Sequence, residues 1–339
     1  MTRIFLLLAF VICAITTHGA NEKKLLIIGN SYTFCNDLPR LLQAMADADG
    51  TPLEVDSYTA GAMSLRGFLD SPQHAAGRRK LENGDYNYLL LQDQSQTPAY
   101  NPDETLNSVR RWCEIARRHK TKTILFLTWA HATEADGKIK LQTAMQDDTS
   151  LTYCKAAIAN KARVAPVGEA WRRWYIKHPG DPLHVKDMSH PTPEGTYLAA
   201  CVIYSTLTGK KATGIPVRLK GYPLRIPASR ARELQKTAAT TLKNFTPADY
   251  IKKHEDRNNK LLTAAEARAL LTRNTKADDL TEALGKPVFV QKNGPQLTYQ
   301  YRLRDNVEFV AYCDKRGNVR SVSISDPVAG VSIIDLSEL

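Results

Sequence analysis

The chain has 339 residues, of which 43% are hydrophobic and 24% charged, an ordinary globular composition with length for about two domains. That composition excludes collagenous, low-complexity and largely disordered chains. The net charge of +11 is concentrated, with 13 Lys or Arg against 4 Asp or Glu over residues 210–260, a surplus that reads as a solvated helix face or as attraction to an anionic glycan or envelope surface.

Residues 1–20, MTRIFLLLAFVICAITTHGA, place one early charge at Arg3 before an apolar stretch from Ile4 to Ile15. Small or polar residues follow, which is the layout of a secretory signal peptide. The stretch is short for a membrane span, so a secreted or periplasmic protein is expected after cleavage. Ile12 is too large for a lipid-attachment box at Cys13. Beyond the leader stand Cys35, Cys113, Cys154, Cys201 and Cys313. An odd number at irregular spacing is not a disulfide framework, and no CxxC pair suggests structural zinc.

After the leader, apolar runs alternate with helical patterns. KLLIIG (24–29) reads as a buried strand, and LPRLLQAMADADG (38–50) as a helix stopped by Gly50. LEVDSYTAG (53–61), YNYLLLQ (86–92), KTILFLTWA (122–130) and RVAPVG (163–168) read as further strands. Helices are expected over 104–119, 141–162, 193–209 and 229–245. Such alternation implies a flavodoxin-like three-layer α/β/α domain with a parallel five-stranded sheet, its active site at the carboxyl ends of the strands. HEDRNNK (254–260) is a polar hinge. After it come two short helical patterns and the alternating runs QLTYQYRL, VEFVAYCD and VRSVSISD. The expected organisation is a signal peptide (1–20), the α/β domain (21–250), a linker (251–257) and a small α+β domain of two helices and three strands (258–339).

Ser31 stands just past the first strand, in IGNSYT. It is a turn residue or a nucleophile. Asp187 and His190 lie three apart in KDMSHPTPEG, kept non-helical by Pro191 and Pro193. Taken alone, that pair describes a helix cap with an exposed histidine. On a short loop, however, it sets a carboxylate against one imidazole nitrogen and leaves the other to face a hydroxyl. A serine becomes nucleophilic when a base takes its proton and a third group orients the base.

IGNSYT, the TAG glycine, the polar turn after YLLLQ, and DMSHPTPEGTYLAA occur in the order of the blocks of SGNH (GDSL-like) hydrolases. Residues 24–245 resemble that superfamily, and the Gly-Asn-Ser-Tyr-Thr block resembles its branch related to carbohydrate acetylesterases. The resemblance implies Ser31 as nucleophile, with His190 and Asp187 completing the triad. It also implies the amides of Gly61 and Ser31 as oxyanion donors. Two departures stand out. Asn30 replaces the usual Asp of the first block, and Gln92-Asp93-Gln94-Ser95 replaces the usual Gly-x-Asn-Asp. By position Gln94 takes over the asparagine's donor role, with an equivalent NH2 on a longer arm. Gln92 competes with it, since related acetylesterases use a nearby Gln-Gly-Glu turn.

The Gly-x-Ser-x-Gly elbow is absent, because Thr33 stands where its last glycine would be. His131 and His184 lack an acidic partner at the Asp-x-x-His spacing and read as loop histidines. Trp171 and Trp174 read as core residues, with a sugar cleft as the other role. No paired carboxylates indicate glycoside hydrolysis, and neither cofactor nor metal is called for. Nucleic acid is not an expected partner of an exported chain with no aromatic-interleaved basic motif. Residues 258–339 are similar, by weak motifs, to the small domain of outer-membrane assembly lipoproteins, which implies an envelope-docking role. The expectation is a secreted serine esterase that deacylates, and in particular deacetylates, a carbohydrate ester. Its rivals are a lipid or thioester acyl hydrolase and a non-catalytic envelope binding protein on a hydrolase scaffold.

Overall fold

The computed structural model describes residues 22–223 and 225–339; the expected signal peptide lies outside them. Chain order gives β1 (Lys23–Gly29), β2 (Leu53–Thr59), β3 (Tyr88–Leu91) and β4 (Lys122–Phe126). A hairpin of β5 (Ala132–Ala135) and β6 (Lys138–Leu141) precedes β7 (Arg163–Ala165). The main sheet runs β2-β1-β3-β4-β7 with every pairing parallel. This is the expected α/β class with five parallel strands. The first strand lies inside, so its carboxyl end opens at the point where the strand order reverses.

The two-residue period of a strand decides which side each residue serves. Leu25 and Ile27 face a core built with helices Leu38–Ala48, Val167–Lys177, Pro193–Thr208 and Ala228–Lys243. Leu26 and Ile28 face the opposite core, shared with helices Leu65–Asp70, Pro102–Arg118 and Thr143–Asn160. All four side chains are fully buried, each a stabilisation of about 1.5–3 kcal/mol. Both faces are thus covered, which is why KLLIIG reads as one continuous apolar run.

The C-terminal region adds β8 (Phe289–Asn293), β9 (Gln296–Arg302), β10 (Glu308–Cys313), β11 (Val319–Asp326) and β12 (Gly330–Asp335). They form an antiparallel sheet in the order β12-β11-β10-β9-β8, with helices Ala264–Ala269 and Ala277–Leu284 packed on its core. Three strands were expected there and five are present. The two additional ones are the edges, whose apolar residues Phe289, Val331 and Ile333 are exposed and so lack the signature of a buried face. The segment expected as a linker, 251–257, lies within helix Pro247–Asn258. Thr246 caps that helix, and Tyr250 and Ile251 pack against the core on the Leu26 side. Among the described residues no helix is long and apolar enough to cross a membrane.

Candidate active site

β1 ends on Gly29, where nothing larger fits. A Cβ there would lie 2.7 Å from Gln92 Oε1 and would also strike the Thr33 hydroxyl. Asn30 then turns the chain into the short helix Ser31–Phe34. Its Oδ1 accepts from the Tyr32 N–H at 3.2 Å and from Gln92 Nε2 at 2.9 Å. Its Nδ2 donates to the Met63 carbonyl at 3.0 Å, tying this turn to the one after β2. Asn30 therefore does the turn-building work of the usual aspartate without a charge. Ser31 becomes the first helical residue, and its N–H has no protein acceptor among the described residues. The same holds for the Gly61 N–H in the turn after β2.

The chain returns to this rim 156 positions after Ser31, at Asp187. The Asp187 Oδ1 accepts from the N–H groups of Ser189 and His190, both at 2.9 Å. Its Oδ2 lies 2.6 Å from His190 Nδ1, and His190 Nε2 lies 2.9 Å from Ser31 Oγ. The three side chains are thus joined in one line. Loss of water would raise the Asp187 carboxyl, but the bonds from the His190 ring and the two amides outweigh it and bring it down to about 2. The side chains of His190 and Asp187 are 39% and 48% exposed, so the line opens to solvent.

An aromatic stack lies beneath it. Tyr32 stacks on Trp129 with centroids 4.5 Å apart, and Trp129 stacks on Trp171 at 4.0 Å. The His190 ring meets Tyr32 edge-on at 5.8 Å. Burial pushes the Tyr32 phenol up to about 12, so it remains a neutral hydrogen-bonding group. Trp171 and Trp174 are core residues, fully buried.

The third block sits beside the turn at Asn30. Gln92 is buried, and its Oε1 accepts from the Asn30 N–H at 2.8 Å and from Thr33 Oγ1 at 2.9 Å. Its Nε2 donates to Asn30 Oδ1 and to the Asp93 carbonyl. Gln92 thus braces the ends of β1 and β3, with its amide directed at protein groups. Asp93 continues the brace: its carboxylate accepts from the N–H groups of Leu65 and Gln94 and from Thr105 Oγ1. Gln94 is half-buried. Its Oε1 accepts from the Gln96 and Thr97 N–H groups at 2.7 and 3.0 Å, while Nε2 donates to Ser95 Oγ at 3.2 Å and keeps a second hydrogen.

His184 lies deep in the fold, with Nδ1 2.8 Å from the Tyr175 hydroxyl and Nε2 3.2 Å from the Ala130 carbonyl. His131 is different. Its Nε2 lies 3.1 Å from Ser189 Oγ, at the edge of the loop that carries Asp187 and His190. His131, Ser189, Trp129 and Tyr32 are the neighbours that sequence reasoning did not bring to the site. Tyr32 and Ser189 adjoin motif residues, which is the one signal that could have drawn attention to them. Among the described residues, Cys35, Cys113, Cys154, Cys201 and Cys313 are all free.

No protein-family model matches the chain, and no curated protein matches it. Solved structures do match. A DUF4886 family protein from Bacteroides uniformis is 20% identical, covers 66% of this chain and 96% of its own, and superposes with a TM-score of 0.56. At that identity the match shows the fold. An SGNH hydrolase candidate from Slackia heliotrinireducens is 24% identical over 55% of this chain and 100% of its own, with a TM-score of 0.48. A variant of an acetyl-xylooligosaccharide esterase from Geobacillus is 13% identical over 58% of this chain and 97% of its own, with a TM-score of 0.46.

Proposed function

We propose that the chain is a serine esterase that removes short acyl groups, acetyl foremost, from a carbohydrate. The observation that carries this reading is the unbroken line from Ser31 Oγ through His190 to Asp187, at 2.9 and 2.6 Å. In this reading Ser31 Oγ attacks the ester carbonyl while His190 Nε2 takes its proton. Asp187 stabilises the imidazolium and keeps the tautomer that leaves Nε2 free. The N–H groups of Ser31 and Gly61, which have no protein acceptor among the described residues, donate to the oxyanion, with the second Gln94 amide hydrogen as the third donor. His190 then returns the proton to the departing sugar hydroxyl. A water, deprotonated by the same imidazole, releases the acid and restores Ser31.

The carbohydrate and acetyl parts of the proposal rest on the Gly-Asn-Ser-Tyr-Thr block. An open site suits a bulky substrate, and Phe34, three residues along the same helical turn from Ser31 and 45% exposed, offers apolar surface beside it. The leader read at residues 1–20 would carry the enzyme out of the cytoplasm, where such esters are presented.

The deciding experiment compares the purified protein with Ser31→Ala on p-nitrophenyl acetate and on acetylated xylo-oligosaccharides. The expected loss in kcat is at least about a thousandfold. Equal rates in the two proteins would overturn the reading. A p-nitrophenyl ester series of rising chain length separates it from a lipid hydrolase, which would prefer the long chains.

A further inference from the structure

Ser189 lies between Asp187 and His190, and each of its polar groups is held by a different part of the chain. Its N–H donates to Asp187 Oδ1 at 2.9 Å. Its carbonyl accepts from Trp129 Nε1 at 2.9 Å. Its hydroxyl lies 2.8 Å from the Tyr32 hydroxyl and 3.1 Å from His131 Nε2. Tyr32 directly follows Ser31, so this one hydroxyl ties the nucleophile's segment to the loop of the acid–base pair. With one proton and two lone pairs it serves both neighbours at once, donating to one and accepting from the other.

The loop has a local need for such a tie. Met188 has φ 57°, a left-handed conformation that costs a residue with a side chain about 1–3 kcal/mol and persists only where the surroundings over-determine it. The Met188 carbonyl is held by the Ala132 N–H at 2.9 Å. The bonds from Trp129, Tyr32 and His131 all fall on the next residue.

We propose that Ser189 is a positioning residue, whose hydroxyl, clamped between Tyr32 and His131, keeps His190 in line with Ser31. The proposal rests on the esterase reading above. The Ser189 hydroxyl touches neither Ser31 nor His190 and acts through the loop that joins it to His190. A shift of about 1 Å in a reacting group costs on the order of a hundredfold in rate, so a tie of this kind has kinetic consequences.

The test uses Ser189→Ala, Ser189→Thr, Tyr32→Phe and the double variant of Ser189→Ala with Tyr32→Phe, assayed on p-nitrophenyl acetate. Ser189→Ala is expected to lower kcat about 10- to 100-fold with little change in KM, and Ser189→Thr to recover most of the loss. The double variant should be no worse than the poorer single, because both changes cut the same tie. An unchanged kcat in Ser189→Ala, or losses that simply add, would overturn the proposal. A second readout needs no activity: solvent exchange of the His190 Nδ1 proton, followed by NMR. Should the wild-type protein hydrolyse no ester, the esterase reading falls and this proton alone decides. Faster exchange in Ser189→Ala upholds the positioning role, and equal exchange ends it.

Discussion

Gln92 has no exposed surface, and its single amide is shared by the Asn30 backbone, the Asn30 side chain, the Thr33 hydroxyl and the Asp93 carbonyl. Gln92→Ala would strand the Asn30 N–H and the Thr33 hydroxyl in the interior, at about 1–3 kcal/mol each. A stability loss of about 3 kcal/mol in urea unfolding is expected, together with a fall in the proposed esterase activity as the Ser31 turn loosens. A loss below about 1 kcal/mol would mean that the brace is dispensable. Asp187, at about 2, stays ionised above about pH 4, so on the proposed esterase reading its carboxylate should add no step to the acid side of the rate profile. A slope of two in log kcat/KM against pH between about 4 and 7 would contradict this.

His184 governs stability instead. Burial lowers it from 6.5 to about 4. Between those values the unfolded chain binds the proton and the folded chain does not. Stability therefore falls as pH drops from about 6.5 towards about 4, by up to about 3 kcal/mol. The urea midpoint at pH 7 and pH 5 should show the fall, and His184→Gln should flatten it.

At the scale of the element, the helix Pro247–Asn258 draws its beginning from Thr246, whose side chain accepts from the Asp249 N–H at 3.1 Å. Thr246→Ala is expected to cost about 1 kcal/mol, seen as a lower thermal midpoint, while Thr246→Ser should be nearly silent. The helix is fastened along its length: Tyr250 donates to Asp147 Oδ1 at 3.2 Å, and Arg257 lies 3.6 Å from Asp147 Oδ2. The polar residues that read as a hinge are therefore partly anchored. The hairpin of β5 and β6 had a readable signal, Asp136-Gly137, whose φ values of 52° and 67° suit a tight two-residue turn. Its short strands carry charges at Glu134, Lys138 and Lys140, which masks the alternation of a half-buried face.

Among the described residues, two five-stranded sheets have separate hydrophobic cores. Across them Arg302, at the end of β9, grips Asp148 with two parallel bonds of 2.9 and 2.8 Å. Both side chains are largely shielded from water, where bidentate Arg–carboxylate geometry is strong. Asp148→Ala should speed amide exchange on the facing surfaces of helix Thr143–Asn160 and β9, and leave the interiors of both sheets protected. Unchanged exchange at those surfaces would show that the pair does not hold the two sheets together. The basic surplus of residues 210–260 is also partly spoken for, since Lys210, Arg230 and Arg257 each pair with a carboxylate. Less of it remains for the anionic surface that the composition suggested.

Residues 24–29, 86–92 and 122–130 announce the sheet by themselves, because a strand covered on both faces must be apolar at every position. Ser31, Asp187 and His190 stand out for a different reason: their blocks occur in the order of those of SGNH hydrolases, whereas a carboxylate three places from an imidazole reads, by itself, as a helix cap. The roles of Gln92, Ser189, His131 and Trp129 come from elsewhere. Each is settled by a partner 58 to 62 residues away or more, as with Gln92 and Asn30, Ser189 and His131, and Ser189 and Trp129. A hydrogen bond is directional and is consumed once made. Whether an amide is a donor to substrate or a brace inside the fold therefore depends on which groups the packed chain brings within 3 Å, a fact that no local pattern contains.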